Sequence, residues 1–93
     1  MEPGSVFALF QRGATRLEQG DPAGAALDFD SAIAANPRAV EAYAWRARAR
    51  LALGDRSGAL ADCEVVLARA PTDWGGFAEI VRLAESLRSG TSR

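Results

Sequence analysis

Gly20-Asp21 and Gly54-Asp55 stand 34 residues apart, as do Ala25 and Ala59, and Pro37 and Pro71. Identities at one fixed offset mean that a structural unit is used twice. A helical unit of this length marks stacked helix-turn-helix arrays. Such a hairpin cannot bury its own apolar flank, so it has to stack on its copy.

The chain in order supports five helices. From about Ser5 to Gln19, Val6, Leu9, Phe10, Gly13, Ala14 and Leu17 recur at three- and four-residue steps, which is a helical stripe. Gly20 suits the left-handed stop after a helix, and Asp21 with Pro22 suits the cap and first position of the next. The second helix spans about Pro22–Ala35 and presents Ala25, Ala26, Phe29, Ala32 and Ile33, with Asn36-Pro37 ending it. The third spans about Ala39–Leu53, and Gly54-Asp55 repeats the stop and cap. The fourth spans about Arg56–Arg69 and closes at Pro71. A fifth, about Asp73–Arg88, carries Trp74, Phe77, Ile80, Val81, Leu83, Ala84 and Leu87 and ends at Ser89-Gly90. This reading makes 1–5 a flexible lead, 6–88 the folded domain and 89–93 a frayed terminus.

Composition then removes whole classes of function. The 93 residues make one small domain. All 11 basic residues are Arg, and they oppose 12 acidic ones, so no broad field draws nucleic acid or an anionic membrane. No apolar run is long enough to cross a bilayer, and Met1–Ser5 lacks the features of a signal peptide. There is no histidine, the commonest general base and transition-metal ligand, and Cys63 therefore has no Cys–His couple. The glycines form no phosphate-cradling loop. No catalytic residue, metal site or cofactor is expected, and an enzyme is not. A single cysteine suits a reducing cytoplasm, and on the core stripe it is most simply a small buried apolar residue.

The residues so far resemble the tetratricopeptide repeat (TPR) family. Repeat 6–39 supplies Leu9, Gly13, Gly20-Asp21, Ala25, Phe29, Ala32 and Pro37 at the family's slots; repeat 40–73 supplies Tyr43, Ala47, Gly54-Asp55, Ala59, Cys63, Val66 and Pro71. Cys63 departs from the expected aromatic and Val66 from the expected small residue, so the second hairpin must adapt its packing. Trp74 and Phe77 open the fifth helix in repeat register, about 73–88, as a capping helix.

The resemblance implies an all-α fold of antiparallel hairpins stacked in a right-handed superhelix. The first helix of each hairpin would line a concave groove that holds a partner peptide or protein segment. Its candidates here are Phe7, Phe10, Ala14 and Leu17; Glu41, Ala44, Trp45 and Arg48; and Ala78, Glu79 and Arg82.

Exposed aromatics with Arg are the side chains that dominate interface energies. One reading of Phe7, Phe10 and Trp45 is an aromatic groove; the other is that the phenylalanines cover an open N-terminal edge and Trp45 packs on a neighbouring turn. Arg48 and Arg82, also 34 apart, either hold an acidic peptide or pair with Glu41, Glu79 or Glu85 as a solvated face. Chaperone-binding relatives grip a C-terminal carboxylate with a Lys/Asn clamp. The equivalent slots hold Phe10, Ala14, Trp45, Gly75 and Glu79, none of them a clamp residue, which argues against that mode. Arg12 and Arg46, and Asp28 and Asp62, share the period and suggest ion pairs within or across hairpins, with free solvation as the rival. Arrays usually need about three repeats, so the alternative function is a homo-oligomerising module, a homodimer among its forms, that buries the open apolar ends.

Overall fold

The computed structural model describes residues 5–90. Five helices follow in order: α1 (Val6–Glu18), α2 (Pro22–Ala35), α3 (Val40–Ala52), α4 (Arg56–Arg69) and α5 (Phe77–Gly90). Among the described residues there is no strand. Each helix packs chiefly on its chain neighbours, and α1 also touches α3. The array is 46 × 29 × 18 Å.

The two glycine stops set the hairpins. Gly20 and Gly54 have φ of 86° and 85°, where any Cβ is strained. In each turn the glycine N–H donates to the carbonyl three residues back, Leu17 at 3.1 Å or Leu51 at 3.0 Å. The following Asp N–H reaches the carbonyl five back, Arg16 or Arg50, both at 2.8 Å. These are the paired bonds of a left-handed helix stop. The same aspartates then cap the next helix, Asp21 accepting from the Gly24 N–H and Asp55 from the Gly58 N–H.

Two clusters make the core. In the first hairpin Phe29, fully buried, packs with Ala25 and with Ala49 of α3; Phe10, Leu17, Ala26 and Trp45 lie against them. Gly13 lets Phe29 in: a Cβ built there would stand 2.7 Å from the ring. In the second hairpin Ala47, Ala59, Cys63 and Val66 pack with Ile80, Ala84 and Leu87 of α5. Cys63 is buried, and burial raises its thiol pKa, so it fills space and is not an activated nucleophile.

The ends and the last helix differ from the sequence expectation. Residues 1–4 of the expected lead and 91–93 of the expected frayed terminus lie outside the described residues. Ser5 is the N-cap of α1, its hydroxyl accepting from the Ala8 N–H at 3.3 Å. At the other end the helix continues through Ser89 to Gly90. The start of α5 is Phe77, not Asp73. Trp74 N–H donates to Pro71 and Phe77 N–H to Trp74, each at 3.0 Å, so two turns precede the helix. Gly75-Gly76 explains the delay, since consecutive glycines weaken a helix start.

The periodic Arg and Asp residues pair within hairpins. Arg12 of α1 makes a two-pronged contact with Asp28 of α2 at 2.7 and 3.0 Å, and Arg46 of α3 does the same with Asp62 of α4 at 2.8 and 3.0 Å. Arg16 and Arg50, one turn on, join Asp28 and Asp62. Both aspartates are buried, and no buried side-chain polar atom lacks a partner among the described residues. One bond also crosses hairpins, from Arg46 to Asp30 of α2 at 2.9 Å.

Candidate functional site

Two clefts lie side by side where α1, α3 and the 74–76 turn meet. The first, about 530 Å³, is lined by Val6, Phe7 and Phe10 of α1, by Ala39–Ala42 and by Trp74. Only Glu41 brings a charge to it. Phe7 is 71% exposed at its rim, a large apolar surface that water alone does not reward. The second, about 410 Å³, runs between Glu41, Ala44, Trp45 and Arg48 of α3 and Trp74, Gly75, Gly76 and Glu79. Glu41 and Trp74 face both, so the two form one continuous furrow.

The aromatic wall of this furrow rests on the first core. Phe10 meets Phe29 at 6.0 Å between ring centroids and Trp45 edge-on at 5.9 Å, and Phe29 lies 6.4 Å from Trp45. Such tilted and edge-to-face contacts are the favourable aromatic geometries. Phe10 and Trp45 are half-buried by them, so each offers one face to the furrow. The Trp45 ring packs on Phe10 and Phe29.

The charges arrange themselves similarly. Arg48 lies over the Trp45 ring at 5.0 Å and donates to Glu79 of α5 at 2.6 Å. The Arg48–Glu79 alternative is thus the one found, and the pair neutralises the middle of the second cleft. Arg46 lies over Tyr43 at 5.4 Å. Hydrogen bonding to Asp62 outweighs its burial and raises its pKa, and Asp28 does the same for Arg12, so both stay cationic as structural ties.

The eleven sequence candidates separate on this map. Phe7, Phe10, Glu41, Ala44, Trp45, Arg48 and Glu79 line the furrow, with Ala44 as buried floor. Ala14 and Leu17 do not: both are half-buried, and Leu17 packs on the Phe29 cluster. Ala78 and Arg82 are exposed on α5 outside both clefts. Trp74 is the lining residue that the sequence reading placed in the fifth helix instead. Its indole folds over Gly76, where a Cβ would come within 2.6 Å of the ring, and the Gly75-Gly76 pair was the signal for that turn.

Among the described residues no group of three or more His, Cys, Asp or Glu side chains is placed to hold a metal, and no helix is long and apolar enough to cross a membrane.

No curated protein matches the chain. Among solved structures, the first TPR of Spaghetti (RPAP3) bound to the HSP90 peptide SRMEEVD is similar. Its TM-score is 0.80 at 27% identity, over 95% of this chain and 70% of that one. A family model for the tetratricopeptide repeat matches residues 16–79. With more than half of its length under that model and two hairpins built to one 34-residue plan, the chain belongs to the tetratricopeptide repeat family.

Proposed function

We propose that this TPR domain is a protein-interaction module that holds an apolar segment of a partner in the furrow between α1, α3 and the 74–76 turn. The observation that carries the reading is the first cleft: about 530 Å³, almost entirely apolar, with Phe7 71% exposed beside it. Half-exposed aromatic rings held by a packed core are rigid anchors, and rigid anchors lose little entropy on binding. Partner contacts fall to Phe7, Phe10, Trp45 and Trp74, with Glu41 the charge common to both clefts.

The similar Spaghetti domain is bound to the HSP90 peptide SRMEEVD, in which three of seven residues are acidic. The clamp slots here carry Phe10, Ala14, Trp45, Gly75 and Glu79, and Arg48 is already tied to Glu79. A ligand with an apolar anchor and no requirement for a terminal carboxylate suits this surface. Sequences and chemistry of this kind support holding, not turnover.

Peptide-display selection on the purified domain tests the reading, with SRMEEVD as a comparison ligand. Enrichment of peptides sharing an apolar anchor, all competing for one site and all tighter than SRMEEVD, supports it. Selection of acidic C-terminal sequences, or SRMEEVD binding as tightly as any selected peptide, overturns it. A domain whose mass rises with concentration unless Phe7 is replaced would instead assign the cleft to a second copy.

A further inference from the structure

The internal repeat shows how one helix face is covered in the second hairpin and leaves its counterpart bare in the first. In α3, Ala42 and Ala49 are 1% and 0% exposed, and Ala49 packs on Ala25 and Phe29 of α2. Between them Arg46 holds two carboxylates: Asp62 of its own hairpin and Asp30 of the preceding one. The residues 34 positions earlier are Ala8, Arg12 and Thr15 of α1. Ala8 and Thr15 are exposed. Arg12 holds Asp28 of its own hairpin, and its side chain is 57% exposed against 15% for Arg46. At the other end the pattern stops: the position 34 after Arg46 is Ile80, fully buried against α4, and Glu64, 34 after Asp30, goes to Arg88. Among the described residues, α5 covers α4 at one end and no helix covers this face of α1 at the other.

We propose that the face of α1 formed by Ala8, Arg12 and Thr15 docks a partner helix that carries a carboxylate where α2 carries Asp30. The protein contains the template for this contact: α2 against α3, with small side chains letting the helices approach and one Asp reaching the Arg from the far side. Charge decides the occupant. A second α1 would set Arg12 against Arg12, whereas an acidic helix completes the two-carboxylate arrangement seen at Arg46. The surface is separate from the furrow, whose lining includes none of these three residues.

A stapled helical peptide with the α2 sequence, residues 22–35, is the probe, titrated by fluorescence anisotropy against the whole chain. Saturable binding is expected, weakened about tenfold or more when the peptide's Asp30 is changed to Asn, a loss equivalent to one good charge-assisted contact. Thr15→Trp, which blocks the face without touching the Arg12–Asp28 pair, should weaken it similarly, and Phe7→Ala should leave it unchanged. Three results overturn the proposal: no saturable binding; binding indifferent to Thr15→Trp; or binding lost on Arg46→Gln but kept with Thr15→Trp, which would mean that the peptide replaces the chain's own α2. Self-association abolished by Thr15→Trp would overturn the partner-helix assignment in favour of a second copy.

Discussion

The two hairpins share a backbone plan and fill it differently. The first puts Phe29 against Gly13; the second puts Cys63 against Ala47, at the same two slots. Phe29 is large enough to support Phe10 of its own hairpin and Trp45 of the next. Cys63 is not, and the space is closed by Val66 and by Ile80, Ala84 and Leu87 of α5. One hairpin therefore uses its aromatic to hold up the wall of the furrow, while the other depends on the helix that caps it. The lesson is that a departure from the family pattern at one slot is answered by the next element in the chain, and the furrow forms on the side where no such departure occurs.

Replacing the props should break this difference, and the largest effect belongs to Phe29→Ala. Truncating a fully buried phenylalanine costs about 3–5 kcal/mol. Urea unfolding should show that loss, and near-ultraviolet circular dichroism should show the Trp45 signal weakened because its ring loses a neighbour. Cys63→Ala removes only a small buried group and should cost about 1 kcal/mol by the same assay. Equal costs would dissolve the contrast between the hairpins.

The buried aspartates sharpen it next. Asp62→Asn should cost about 2 kcal/mol, because Arg46 is the more enclosed partner and loses a charge-assisted bond. Asp28→Asn should cost less, since Arg12 and Arg16 turn to water. Parallel denaturant titrations of the two variants read the order directly, and a reversed order contradicts it.

The smallest effect sought here is a coupling. Gly13→Ala places a methyl against the Phe29 ring and should cost about 1–2 kcal/mol despite the better helix propensity of alanine. On a Phe29→Leu background most of that cost should vanish, giving a double-mutant interaction of about 1 kcal/mol. A coupling near zero would mean that the ring simply moves aside.

Much of the fold was legible because its punctuation is local. Gly-Asp and X-Pro act within a few residues, so α2 and α4 begin and end where the sequence puts them. The start of α5 was not, because Trp74 and Phe77 keep a helical spacing that conceals the turn at Gly75-Gly76. Ion pairing was partly legible. The period exposed Arg12–Asp28 and Arg46–Asp62; Arg16 and Arg50 obey the same offset and join the same carboxylates, but the sequence reading did not single them out. Arg46–Asp30, without a periodic echo, depends on how helices stack and leaves no mark in the sequence, whereas Arg48–Glu79 is one of three pairings that the sequence offers and the stacking of α5 selects it. The site follows the same rule. Its aromatics stood out by type, while Phe10 and Leu17, seven residues apart, share a face of α1 and both touch the Phe29 cluster, so only their positions along the helix put Phe10 in the furrow and leave Leu17 outside it.

Phe7 is the most exposed of the first hairpin's aromatics, so the proposed binding surface depends on it most directly. Calorimetric titration of a display-selected peptide should give a Kd at least about tenfold weaker for Phe7→Ala than for the unaltered domain, as expected for an aromatic anchor. The midpoint of urea unfolding should stay unchanged, because the side chain is 71% exposed. Equal affinity in the two proteins would contradict the account.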